Sequence, residues 1–188
     1  MSSSILKTKL EQLSNDFYNT NNKNVLFKKK QKNDCAKFIS SNLDINELML
    51  HTAYIIPNTN KIYIDYTMFK TYGTPEIFQP LITHIKNLNI YCIKTYGNYE
   101  IHLNSDGYTV SAHERYKDFF QLFTTAHTNC EYEFSELVSN IFVYYSPSIV
   151  NMVFTFCKPF IEPVVMSKIV LYDKKQSNEL IQKLLENK

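Results

Sequence analysis

Glycine occurs only three times in this 188-residue chain, at Gly73, Gly97 and Gly107. Close backbone approach to phosphate needs clustered glycines, so the three cannot build a P-loop or a dinucleotide fingerprint. A G-x-S-x-G nucleophile elbow is also missing. The five histidines (51, 84, 102, 113 and 127) and four cysteines (35, 92, 130 and 157) never fall at metal-ligand spacing, and there is no C-x-x-C. No metal and no cofactor are expected. Asp65 lies on a strand-like run beside tyrosines, where a general base would be plausible chemistry, yet nothing nearby completes a catalytic set. The chain is therefore not expected to be an enzyme. No apolar run approaches the roughly 18–20 residues needed to span a bilayer. With Met1 in place and no signal peptide, the expectation is a soluble chain in a reducing, cytoplasmic compartment.

The composition is that of a globular protein, 44% hydrophobic and 20% charged, and the length suits one domain with a proper core. A net charge of +2 selects no partner. The 14 tyrosines could stack bases, but they fall at core-like periodic positions, so nucleic acid is not an expected partner.

In chain order, Ser3 or Ser4 can cap a helix with Leu6, Leu10, Leu13 and Phe17 on one stripe. An Asn-rich break at 20–24 follows, then the lysines Lys28, Lys29, Lys30 and Lys32, leading into a helix around Cys35, Phe38 and Ile39. These lysines are either a solvated helix face or a patch that attracts an anionic membrane, worth about 1 kcal/mol each near the surface. Leu48–Ile56 and Lys61–Tyr66 read as strands joined by the turn sequence 57–60. Thr74-Pro75-Glu76 opens a helix with Ile77, Leu81, Ile85 and Leu88 on one side, its start offset by Pro80. Ile90–Thr95 and Tyr99–Leu103 read as strands that can pair as a hairpin through Gly97-Asn98, and Asp106-Gly107 marks another turn. Glu114–His127 is a helix with Tyr116, Phe119, Phe120 and Phe123 on its core face, and Ser177 caps a last helix with Leu180, Ile181, Leu184 and Leu185 inward.

The most informative stretch runs from Ile141 to Tyr172. A β-branched and aromatic strand, Ile141–Tyr145, is stopped by Pro147, which has no N–H for a ladder. Ser148 can cap a helix over 149–157 that is apolar almost all round, with Asn151 and Thr155 its only polar edge. Pro159 ends it. Glu162-Pro163 starts a short second turn, and Lys168–Tyr172 is another strand. Strand, helix, short helix and strand make a crossover unit of an α/β sheet.

The words Tyr145-Ser146-Pro147, Lys158-Pro159-Phe160-Ile161-Glu162-Pro163 and Ser167-Lys168-Ile169-Val170 stand at ungapped spacing. This pattern resembles the C-terminal half of the CRAL-TRIO domain, the lipid-binding fold of phosphatidylinositol/phosphatidylcholine transfer proteins. The family's Tyr-Tyr-Pro-Glu falls on Glu133-Phe134-Ser135-Glu136, with its tyrosines and proline replaced. The resemblance implies a single α/β CRAL-TRIO-like domain over 1–188: an abbreviated helical part at 1–45 and an α/β core at 46–188. It implies a central, mostly parallel sheet with helices on one face and an apolar, gate-like helix on the other. It also implies a soluble lipid-binding or lipid-transfer protein, peripherally membrane-associated, that holds a phospholipid or other hydrophobic ligand in a cavity gated by helix 149–157. Ile149, Val150, Val153, Phe154, Phe156 and Phe160 would form the gate and cavity wall, Glu136 and Lys168 would meet a phosphoinositide headgroup, and Lys28, Lys29, Lys30 and Lys32 would touch the membrane. The alternative is a non-catalytic scaffold of the BCH type, which binds small GTPases or their regulators on the same fold.

Overall fold

The computed structural model describes residues 3–21, 27–128, 131–146 and 161–186. Three helices come first: α1 (Ser3–Asn21), α2 (Lys28–Asn42) and α3 (Ile45–Thr52). The expected stripe of α1 is the buried one, with Leu6, Leu10 and Phe17 in a core that also takes Cys35 and Ile39 of α2 and Leu48 of α3. Burial of a leucine or phenylalanine side chain stabilises by about 1.5–3 kcal/mol, so this stripe is what fixes the N-terminal helices to the rest.

Among the described residues five strands form one sheet in the order β1-β2-β3-β4-β5. They are β1 (Ala53–Ile55), β2 (Lys61–Asp65), β3 (Tyr99–Asn104), β4 (Val138–Tyr144) and β5 (Ile169–Leu171). The β1–β2 pair is antiparallel and every later neighbour is parallel. The β1–β2 hairpin closes where the turn residues stand: the Ile56 N–H donates to Lys61 O at 2.8 Å, and Asn58 takes φ +60°. Between β2 and β3 run α4 (Tyr66–Tyr72) and α5 (Pro75–Tyr96); between β3 and β4 run α6 (Val110–Thr128) and α7 (Phe134–Leu137). The short helix α8 (Pro163–Ser167) precedes β5, and α9 (Lys174–Glu186) follows it.

Several local expectations are corrected. Residues 48–52 are helical, because the Asp44 carboxylate accepts from Asn46 N at 2.9 Å and starts α3 just ahead of them. Their strand-like composition yields to this cap, and the strand begins only at Ala53. Residues 90–95 continue α5 instead of forming a strand, so there is no hairpin at Gly97-Asn98. Gly97 is the left-handed C-cap of α5 (φ +82°), and its N–H donates to Ile93 O at 2.9 Å. β3 then pairs in parallel with β2, as a crossover requires. Pro80 is absorbed within α5 and does not delay its start at Pro75. Ser177 lies inside the last helix. Its cap is Asp173, whose carboxylate accepts from Gln176 N at 2.8 Å while Gln176 Oε1 accepts from Asp173 N at 3.3 Å, a reciprocal capping box. The helix α4, absent from the expectations, is started by Asp65.

The two faces of the sheet differ. Along each strand successive side chains alternate faces. Ile62, Tyr99, Ile101 and Val138 pack with Cys92, and with Leu88 and Ile93 of α5 beside them. The aromatic stripe of α6 closes the same layer, Phe119 lying 5.0 Å from Phe69 and 5.5 Å from Phe78.

Candidate functional site

The alternate residues define the second face, and it is made of rings. Tyr63 of β2 opposes His102 of β3, His102 opposes Phe142 of β4, and Phe142 opposes Val170 of β5. Tyr54 of β1 lies against Tyr63 with centroids 5.4 Å apart. His102 stacks on Phe142 (4.9 Å) and Tyr144 (6.0 Å), and Tyr172, just past β5, stacks on Phe142 (6.1 Å) and Tyr144 (5.4 Å). Rings therefore extend across the sheet from β1 to the end of β5.

His102 is the polar centre of this face. A carboxylate can only accept, so the imidazole Nε2–H donates to Glu100 Oε2 (3.3 Å), and Nδ1 accepts from the Tyr144 hydroxyl (2.8 Å). The histidine is 4% exposed, and burial lowers its pKa, against a smaller upward pull from Glu100. Burial likewise pushes the phenols of Tyr54 and Tyr144 up to about 12 and that of Tyr63 higher still. All stay neutral near pH 7, so the face presents ring surface and fixed dipoles without net phenolate charge.

Asp65, the one carboxylate considered as a general base, is committed elsewhere. It caps α4 by accepting from Thr67 N (2.8 Å) and Thr67 Oγ1 (2.6 Å), and it accepts from Asn104 Nδ2 at 3.2 Å.

At its far end β4 leaves the sheet through Tyr145, a non-glycine residue with φ +53°. A left-handed tyrosine costs energy and persists only where its surroundings hold it. Here Tyr145 N donates to Ser177 Oγ (2.7 Å), its hydroxyl donates to Asn178 Oδ1 (2.8 Å), and Ser105 Oγ donates to Tyr144 O (2.7 Å). Ser146 N donates to Tyr172 O at 2.9 Å. The base of the segment that follows is thus pinned to α9 and to β5. The expected gate and wall residues Ile149, Val150, Val153, Phe154, Phe156 and Phe160 all lie outside the described residues, as does the whole helix expected over 149–157.

Glu136 and Lys168 are brought together at the opposite, amino-terminal edge of the sheet. Glu136 sits on the single-turn helix α7 before β4, and Lys168 stands one residue before β5. The contact runs through the backbone: the Lys168 ammonium donates to the carbonyls of Ser135 and Glu136, each at 2.9 Å. It closes the last turn of α7 from outside and ties it to the start of β5. Beside it lies an open hollow of about 310 Å³ lined by His127, Tyr132, Phe134 and three glutamates, Glu133, Glu136 and Glu162. Its lining is acidic, suited to hydroxyl or cationic groups and unfavourable to a bare phosphate. His127 on its wall donates from Nδ1 to Phe123 O (2.7 Å), accepts from Asn89 at 3.1 Å, and has its pKa lowered by burial.

The four lysines lie far along the chain from both places, at the head of α2. Lys28, Lys29, Lys30 and Lys32 are all exposed. Sequence reasoning missed the ring-lined face. Its signal was the alternation Ile62/Ile64 against Tyr63/Asp65 in β2; what sequence lacked was the parallel register that lines Tyr63 up with His102 and Phe142.

A mostly parallel five-stranded sheet, helix-packed on one face and ring-lined on the other, defines an α/β domain. The family model of the CRAL/TRIO domain matches residues 62–188, from β2 to the end of the chain, and the chain belongs to that family. CRAL-TRIO domains bind hydrophobic lipid ligands, so membership supports a lipid-binding or lipid-transfer type of function. A comparison with curated proteins found no match. Among the described residues no helix is long and apolar enough to cross a membrane.

Proposed function

We propose that this chain holds a phospholipid or other hydrophobic ligand against the ring-lined face of its sheet and exchanges it at a membrane surface, without catalysing a reaction. The observation that carries the reading is the family match laid over the Tyr54–Tyr63–His102–Phe142–Tyr172 face. Ring surface offers broad apolar contact, and the Glu100–His102–Tyr144 hydrogen bonds hold the rings in one arrangement. The apolar segment 149–157 is the closing wall in this reading. Acyl burial is worth about 0.8 kcal/mol per CH₂, so drawing some fourteen methylenes through water would cost roughly 11 kcal/mol. A wall that meets the bilayer as it opens avoids that exposure.

The first experiment is mass spectrometry of the purified chain: a stoichiometric copurified lipid is expected, and an apolar-ligand-free protein that takes up no lipid from vesicles would refute the reading. The second is Phe154→Asp or Val153→Asp, which should cut vesicle-to-vesicle transfer while unfolding stays cooperative. Global unfolding would instead mean that this segment is ordinary core. A second reading, a non-catalytic protein-interaction scaffold of the BCH type, is favoured by the burial of Tyr63, His102 and Tyr144, all under 5% exposed, as expected if this face is packed shut. Absence of lipid together with capture of a small GTPase or its regulator would select it.

A further inference from the structure

The head of α2 breaks a rule of helix electrostatics. The amino end of a helix carries partial positive charge, and cations there are unfavourable. Yet Lys28, Lys29 and Lys30 fill its first three positions, Lys32 follows, and the first turn holds no acidic residue. Lys28 and Lys32 also stand one turn apart, a like-charge spacing that destabilises a helix further. A solvated lysine face normally offsets this with ion pairs. Among the described residues the ion pairs are Lys37–Glu76, His102–Glu100 and Lys183–Glu179, and none uses these four lysines.

The second observation is apolar. Phe27, the residue before the helix, is 64% exposed, the most exposed large hydrophobic side chain among those described. Its side chain makes no cap hydrogen bond, and its carbonyl accepts from Gln31 N at 3.0 Å. The tip is tied to its neighbours by hydrogen bonds. Gln31 Nε2 donates to Asn21 O (3.2 Å), and Arg115 on α6 donates to Lys32 O (3.4 Å) and to Gly73 O (3.3 Å). Cys35, Ala36 and Ile39, the next turns of α2, are buried. An exposed ring followed by four exposed lysines outside those ion pairs has the composition of an interfacial anchor, apolar contact combined with attraction to anionic lipid.

We infer that the α2 tip, Phe27 with Lys28, Lys29, Lys30 and Lys32, is a docking surface for an anionic lipid bilayer, with Phe27 entering the interface and the lysines meeting the headgroups. The four positive charges match a negatively charged leaflet, and the bilayer relieves the repulsion that the free tip carries. The inference deepens the lipid-exchange reading by locating the contact. It is measured apart from that reading, because lipid loading is scored on the same samples as vesicle binding.

The test is sedimentation of the full chain with vesicles of phosphatidylcholine alone or with phosphatidylserine added, at low and high salt. Binding should require phosphatidylserine and weaken as salt shortens the screening length. At about fivefold per lysine, combined K28E, K29E and K30E should lower binding at least about a hundredfold. F27A should lower it roughly tenfold, from burying part of one phenyl ring, and should leave the salt dependence intact. The control K174E with K175E on α9 should bind as the parent does. Circular dichroism melts of every variant should match or exceed the parent, since charge reversal at a helix head removes repulsion. Unchanged binding after the triple reversal, equal binding to neutral vesicles, or tighter binding to single-stranded RNA than to vesicles at equal salt would each overturn the inference. Lost vesicle binding with normal lipid loading confirms the docking surface; lost loading with normal docking overturns the lipid-exchange reading alone.

Discussion

Lys168→Met isolates the two backbone hydrogen bonds that close α7. The substitution keeps the unbranched stem and removes the ammonium that donates to Ser135 O and Glu136 O, each at 2.9 Å. A hydrogen bond from a charged donor contributes about 1.5–3 kcal/mol when buried, and solvent competes where it is exposed. One bond here is half-buried and the other exposed, so the pair is assigned about 2 kcal/mol, mostly from Ser135. For a chain of this length that loss lowers the melting temperature by about 4–8 °C. Urea denaturation followed by circular dichroism measures it directly, and Lys168→Arg should recover part of it because a donor is restored. A cost below about 0.5 kcal/mol would refute the reasoning, since it would mean that the ammonium spends its time in water.

The same variant decides the headgroup question. An ammonium has three donors, and two are engaged in the fold, which leaves one for a phosphate. If Lys168 also meets a phosphoinositide, Lys168→Met loses phosphatidylinositol and keeps phosphatidylcholine. Loss of both lipids, or of neither, removes Lys168 from the headgroup site and leaves it as the clamp between α7 and β5.

Asp65→Ala removes the α4 cap together with the Thr67 and Asn104 bonds. It should cost about 2 kcal/mol in urea denaturation, and an unchanged midpoint would mean that α4 starts without it. Gly97→Ala should cost about 1–2 kcal/mol through its left-handed φ alone, because a Cβ there meets nothing within 4 Å; a neutral result would show that α5 can end otherwise. Burial holds the pKa values of His102 and His127 below the ordinary 6.5, despite Glu100 beside the first and the Phe123 carbonyl beside the second, with Lys61 and Lys86 adding smaller downward pushes. The unfolded chain therefore binds protons first as pH falls. The stability from these two sites is complete above about pH 6.5 and declines below it toward the folded values. Melting temperatures between pH 7.5 and 5.5 should fall, and His127→Gln should fall less; equal slopes would clear His127 of the effect.

What the sequence made legible was local and periodic. Leu6, Leu10 and Phe17 bury because a 3.6-residue stripe has one solution, and α5 starts at Pro75 because a first-position proline acts within one turn, although Thr74 before it makes no side-chain cap hydrogen bond. The failures share a cause as well. Ile90–Thr95 is β-branched and aromatic, yet α5 was already running and its inward residues Asn89 and Cys92 keep the helical spacing, so continuing cost less than stopping. The hairpin at Gly97-Asn98 followed from that error. For Leu48–Thr52, one hydrogen bond from Asn46 N to the Asp44 carboxylate outweighed composition.

The site divided along the same line. Motif spacing matched Lys168 and Glu136 to headgroup positions of the family, and the structure joins them through the Lys168 ammonium and the Glu136 carbonyl. Motif spacing is silent on which atoms meet, and the atoms turned out to be an ammonium and backbone carbonyls. The ring-lined face needs register between three parallel strands separated by more than thirty residues, and no local pattern encodes that. The same logic explains why the lysines were visible and Phe27 was not. A run of like charges stands out in any window, but a single phenylalanine before a helix reads as core until the fold leaves it in solvent. The part of the molecule that sequence alone hides is thus the part set by strand register and by exposure in the folded chain, and in a lipid-binding family those are the surfaces to test first.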